Sequence, residues 1–263
     1  MLASPAVKRS LKSAALAVLC AILAGCASLD PAPLAPSEVQ RFSANRPGQG
    51  LPWGWEPLVL SRAKTPTQYD LVVDSATQKV VLHAIATRSA SGLKQRLSVE
   101  PQARPVVQWR WRVVRQIDGA DNADRDAEDA PVRLLLFFDG DKRQLPAAEQ
   151  MKIELARLVS GRDMPYATLM YIWANRHPVG ALIPSGHTAR LQMIVAGAGS
   201  DRLGQWKDFE RNYVEDFRHA FGEAPGRLIG VAVMTDTDNT GAEVDAFYGD
   251  IALRPAAGTA QRP

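Results

Sequence analysis

Residues 106–114 alternate with a period of two, so that Val107, Trp109, Trp111 and Val113 share one face and Arg110 and Arg112 point the other way. Side chains two residues apart stand on one side of a pleated strand, whereas a helix would scatter these four around its axis. One face of this segment therefore belongs in an apolar interior and the other at a polar surface. The run from Val132 to Phe138 differs. It is apolar almost throughout, the pattern of a strand covered on both faces.

Shorter strand signals recur at 69–73, 79–86, 93–99, 168–173, 189–196, 227–234 and 246–253, separated by Gly, Asp and Pro. Such spacing predicts a sandwich or barrel. Two helices interrupt it. Residues 146–160 set Met151, Leu155 and Leu158 on one stripe, with Pro146 near the start and Gly161 as cap; residues 208–221 set Phe209, Tyr213 and Phe217 on another, ended by Gly222. Neither recurs as a crossover between successive strands, which argues for an all-β-dominated sandwich with two appended helices over a doubly wound α/β sheet.

The amino terminus carries an address. Lys8, Arg9 and Lys12 precede an apolar run, Ser13 to Leu23, that is too short to span a bilayer and ends in Leu23-Ala24-Gly25-Cys26. This resembles the signal peptide and lipobox of bacterial lipoproteins, which implies cleavage after residue 25 and lipidation of Cys26. Ala27 stands where an aspartate would resemble an inner-membrane retention signal, so the expected location is the outer membrane, facing the periplasm. Residues 26–52, with Pro31, Pro33, Pro36, Pro47 and Pro52, read as a flexible tether whose roughly 25 residues would reach about 80 Å when extended. The sandwich is expected over 53–254, and 255–263 reads as a disordered tail.

Removing residues 1–25 takes three basic and no acidic residues, leaving 28 of each from the 31 and 28 of the whole chain. A neutral chain without a basic block argues against nucleic acid as a partner and against polybasic binding to a membrane surface. Cys20 leaves with the signal and Cys26 becomes the anchor, so no thiol remains for a disulfide, a zinc site or a nucleophile.

Several segments hold chemistry-bearing residues. Asp236-Thr-Asp-Asn-Thr-Gly241 follows a strand and begins like a calcium loop, but Phe247 occupies the position of an EF-hand's bidentate glutamate. Two readings remain open: a Ca2+ site using Asp236 and Asp238, or a hairpin turn built by Asp and Asn. The acidic segment 118–129 reads as a solvated loop or a second cation site. Flat tryptophan faces suit sugar stacking as well as core packing. His83, His177, His187 and His219 show no metal-ligand spacing, and the frames of a nucleophile elbow, a Walker loop and a dinucleotide fingerprint are absent, which excludes nucleotide binding by those routes.

Ser91-Gly-Leu93, Trp109-Arg-Trp111, Asp129-Ala-Pro-Val-Arg133, Tyr171-Ile-Trp173, Glu210-Arg-Asn212 with Asp216-Phe217, Ala220-Phe-Gly222, and the block from Gly230 to Thr240 with Tyr248-Gly-Asp-Ile251 together resemble the bacterial family of domain of unknown function 3047. The resemblance implies an exported protein and a jelly-roll-like β-sandwich, and it implies no activity. The expected function is binding of an envelope glycan or another envelope component at Trp173, Asp236, Asp238 and Asn239, with Arg211 and Asp216 nearby on the second helix. A carboxylate-dependent polysaccharide hydrolase or lyase, and a structural envelope protein without a small ligand, are the alternatives.

Overall fold

The computed structural model describes residues 35–256 except Arg162 and Asp201. The signal segment, Cys26 and the tail from residue 257 onward lie outside the described residues. The protein is a jelly-roll-like β-sandwich with two appended helices, α1 (Ala147–Ser160) and α2 (Tyr213–Phe221). The larger sheet runs in the order β1 (Glu56–Val59), β4 (Ala90–Val99), β11 (Leu228–Asp236), β6 (Ala130–Phe138), β7 (Ala167–Ala174), β9 (Leu191–Ala198) and β8 (Leu182–Pro184). The smaller runs β10 (Trp206–Asn212), β5 (Val106–Val113), β12 (Glu243–Tyr248), β3 (Val80–Thr87) and β2 (Gln68–Val73), with β13 (Ala252–Arg254) also paired to β5. The β7–β9 pair is parallel.

The alternation in β5 does what its pattern dictates. Val107, Trp109, Trp111 and Val113 are buried between the sheets, where Trp109 stacks on Tyr171 at 4.9 Å and on Phe209 at 5.0 Å. Strand β6 is buried on both faces, as its continuous apolar run requires. Val132, Leu134, Leu136 and Phe138 enter the main core, whereas Leu135 joins Met170, Ile172, Met193 and Met234 in a second apolar layer on the outside of the larger sheet. Arg133 rises from that layer to donate to the Glu128 carbonyl, so the acidic loop before β6 lies over it as a cover.

Register fixes the two ends of the sandwich. At one end Val99, Leu228, Phe138 and Ala167 form a cross-strand row; at the other, Ala90, Asp236 and Ala130 do. Residues 35–52, expected to be tether, are part of the domain. Pro36 accepts from the Ser98 N–H at 2.9 Å, and Phe42, fully buried, packs on Trp55 at 4.9 Å. The expected helix over 208–221 is corrected as well. Its first residues form β10 along β5, and α2 begins only where Asn212 accepts from the Val214 and Glu215 N–H groups. Gly222, at φ 72°, ends it.

The strand expected over 246–253 is two strands, β12 and β13, broken at residues 249–251. Among the described residues, no helix is long and apolar enough to cross a membrane.

Candidate functional site

The loop after β11 brings Asp129, Asp236 and Asp238 together, with one carboxylate oxygen from each within 4.8 Å of the others. The protein already employs most of these oxygens. Asp236 is buried and accepts from Arg133 at both oxygens, Nε at 3.0 Å and Nη2 at 2.9 Å, and from the Ala130 N–H at 2.9 Å. Burial pushes its carboxyl up to about 6, against the pull of the Arg133 guanidinium and that N–H. Asp129 accepts from the Asn239 and Thr240 N–H groups and the Thr240 hydroxyl, so it is the brace of the β11–β12 turn. Asp238 Oδ2 accepts from Lys64 Nζ at 2.5 Å, and its Oδ1 is buried without a hydrogen-bond partner among the described residues.

This donor set does not fit a cation. A Ca2+ ion needs six or more free oxygens, and here Arg133 and Lys64 already supply the positive charge. Asp236 and Asp238, expected as metal ligands, do converge with Asp129, and each is paired with an internal cation, Arg133 and Lys64 respectively. Asn239 is exposed on the turn, its side chain 3.4 Å from the Arg125 carbonyl.

Trp173 is also corrected. It is 2% exposed, in the main core, where Gly197 lies against its ring and Lys207 Nζ sits 4.9 Å from the ring centre. Trp109 and Trp111 are buried in the same core, so none of the three offers a free stacking face. Arg211 and Asp216 do meet. Arg211 donates to both oxygens of Asp216, Nε at 2.8 Å and Nη2 at 2.5 Å, and the Tyr171 hydroxyl donates to Asp216 Oδ2 at 2.7 Å. Burial, with the Asp216 carboxylate beside it, holds the Tyr171 hydroxyl well above its ordinary value. Arg211 pairs with Val107, near the opposite end of the strands from Asp236. The six residues expected to converge do not form one site.

The outer face of the smaller sheet carries a different arrangement. Trp206, Arg112, Phe247, His83 and Asp70 stand in one cross-strand row over five strands. The Arg112 guanidinium lies 4.0 Å from the Phe247 ring centre and 5.3 Å from that of Trp206, and His83 stacks on Phe247 at 4.3 Å. Asp74, on the β2–β3 turn, accepts from Arg112 at 2.8 Å. Burial works against that carboxylate, but the Thr77 hydroxyl and N–H and the Arg112 charge hold it below the ordinary range.

Beside this row, over β10, β5 and β13, lies a groove of about 460 Å3. Arg254 Nε donates to Gln108 Oε1 at 3.3 Å, and Gln108 Nε2 donates to Glu210 Oε2 at 2.6 Å, a polar ladder across three strands. Arg110 pairs with Asp208 at 3.2 Å and lies 5.0 Å over the Trp206 ring. Gly249 makes room for it, since a Cβ there would meet Arg110 Cγ at 2.4 Å. Asp250 and Ala252 complete the walls. The alternation in 106–114 placed Arg110 and Arg112 on this face. Trp206, Phe247 and Arg254 reach it through strand register, which no local pattern encodes.

These features define a two-sheet β-sandwich with one face covered and one open. The chain belongs to the family described as "Protein of unknown function (DUF3047)", whose model matches residues 53–252. No curated protein matches it significantly. Among solved structures it is similar to a β-1,2-glucanase from Parabacteroides distasonis (13% identity, TM-score 0.39, 84% of this chain and 26% of that one). It is also similar to the N-terminal CBM22-1–CBM22-2 tandem domain of Xyn10C from Paenibacillus barcinonensis (14%, 0.34, 89% and 49%) and to the K3 cleaved adhesin domain of Lys-gingipain from Porphyromonas gingivalis (8%, 0.37, 83% and 99%). The chain thus spans about a quarter of the first and half of the second.

Proposed function

We propose that this is a lipid-anchored protein of the bacterial outer membrane, facing the periplasm, whose open sheet face binds an envelope glycan. The observation that carries the reading is the groove over β5. Its walls offer two guanidinium groups, one amide and three carboxylates within a single concavity, so donors and acceptors stand in near balance. A polyhydroxylated, largely uncharged ligand needs both kinds of partner at each ring, whereas a nucleotide or polyanion would call for a surplus of donors. Arg110, its guanidinium 5.0 Å over the Trp206 ring, adds a planar edge against which a ring can pack.

Isothermal titration with solubilised peptidoglycan fragments and with lipopolysaccharide-derived oligosaccharides tests this. Binding should weaken about tenfold, or 1.4 kcal/mol, in Gln108→Ala and in Arg110→Ala. Absence of heat with every glycan, or binding indifferent to both changes, would overturn the reading. The carboxylates Asp208, Glu210 and Asp250 on the same walls support a second reading as a hydrolase. It predicts new reducing ends from these glycans, lost in Glu210→Gln.

A further inference from the structure

Helix α1 wears its apolar face outward. Met151, Leu155 and Leu158 are 73%, 61% and 67% exposed, on one stripe three and four residues apart. The opposite side, with Glu149 buried and Ile153 and Ala156 half-buried, turns toward the domain. Glu149 accepts from the Thr188 hydroxyl, which ties the helix to the segment before β9, and from Lys152 Nζ of the same helix at 2.8 Å. An exposed apolar stripe on a helix is a surface waiting for an apolar partner.

The position of the chain's outward path points to which one. Pro36, the second residue of the described chain, accepts from the Ser98 N–H near the end of β4. Val99 and Phe138 are two strands apart in one cross-strand row, about 10 Å, and α1 follows Phe138. Trp53, 71% exposed, precedes β1, whose first residue pairs with Lys94, and it lines a cleft with Pro36, Gln95 and Arg96 on the side of β4 toward Val99. From Cys26 to Ala35 nine residues reach at most about 30 Å. An acylated Cys26 would therefore hold this end of the sandwich against the bilayer.

We infer that α1 and Trp53 dock on the phospholipid surface, Met151, Leu155 and Leu158 entering at headgroup depth. The anchored domain then stands with its strands upright and its groove facing sideways along the membrane. Amphipathic helices of this kind lie in the interfacial plane, and a tryptophan indole favours the same depth. The inference rests on the lipid anchor proposed above.

The test uses the acylated chain in phosphatidylethanolamine–phosphatidylglycerol vesicles, with a fluorophore on Leu155→Cys or, at the opposite end, on the exposed Val179→Cys. Lipids carrying a chain-borne nitroxide should quench the first label about threefold more than the second. Equal quenching overturns the inference. So does energy transfer between labels at position 155 at high dilution, which would make a second copy the occupant. The anchor is read separately, from the mass of the amino-terminal peptide. If Cys26 carries no acyl chain, the anchor proposal fails. Docking is then decided by flotation of the same chain with these vesicles: co-flotation lost in Leu155→Glu supports it, and no co-flotation overturns it.

Discussion

Replacing Arg133 by methionine isolates the energetics of the buried pair beneath the acidic loop. Both side chains are nearly inaccessible, at 4% and 5% for Arg133 and Asp236. The change removes two charge-assisted bonds to the carboxylate and the bond to the Glu128 carbonyl. Among the described residues Asp236 then keeps only the Ala130 N–H. Stranding one buried charge in this way should lower the unfolding free energy by about 3–5 kcal/mol near pH 7.5, read as a shift in the urea midpoint. Replacing both partners, as Arg133→Met with Asp236→Leu, should restore most of it, because apolar groups of similar volume leave no ion unpaired.

The pH dependence supplies a second readout. Burial already holds Asp236 at about 6, above an unfolded value near 4. Between those values the native state binds more protons than the unfolded state, so this group's contribution improves as pH falls. Without Arg133 its carboxyl moves higher and the same window opens at higher pH. The gap between variant and wild type should therefore narrow from pH 8 to pH 5. A loss under about 1 kcal/mol, a gap that ignores pH, or a double variant as weak as the single one would refute the reasoning.

Four shorter expectations follow from the same contacts. Calcium at 5 mM should leave the melting temperature unchanged, whereas a site of 0.05 mM affinity would add about 2.7 kcal/mol; a clear upward shift would reinstate the cation site. Tyr171→Phe should lose about 1 kcal/mol in urea unfolding and Asp216→Ala about 3, since the second strands both the Tyr171 hydroxyl and Arg211. Asp74, held low in the native state, contributes stability that is present above pH 4 and lost as pH falls through its native value, so Asp74→Asn should flatten the acid limb of the stability curve. Gly92→Ala should destabilise by about 2 kcal/mol or more, because its Cβ would meet the Val233 carbonyl oxygen at 2.3 Å.

What the sequence discloses depends on how local the determining force is. The period of two in β5 and the apolar run of β6 name their faces without help, because burial on one or both sides writes itself into consecutive residues. Both helix ends at Gly161 and Gly222 are similarly legible, as left-handed caps. Strand β10 is not. Its inward positions are Lys207, Phe209 and Arg211, two of them charged, while Phe209, Tyr213 and Phe217 happen to share a helical stripe. The expected site failed for a related reason. Asp236 resembles a free ligand until Arg133, 103 residues away, is set beside it, and Trp173 resembles a platform until Gly197 and Lys207 close over it. Pairings at such separations are fixed by register between strands, and a single chain carries no direct trace of them.

The two outer faces of the sandwich answer the question of where a ligand can be met. On the larger sheet, Leu135, Met170, Ile172, Met193 and Met234 form a dry layer, roofed where Arg133 ties the Glu128 carbonyl to Asp236. The same loop is pinned again where Asp121 meets His177 at 2.8 Å and where Asp129 grips the β11–β12 turn. The last two pins each spend a carboxylate of the 118–129 segment on the protein itself, and the acidic run forms a cover. Among the described residues, the smaller sheet has no such roof over β10, β5 and β13. There the outward side chains stay polar and half-exposed, and their cross-strand bonds, Arg254 to Gln108 and Gln108 to Glu210, are made in water and are exchangeable for bonds to a ligand at little net cost. The glycan-binding reading proposed above therefore puts its ligand on that face.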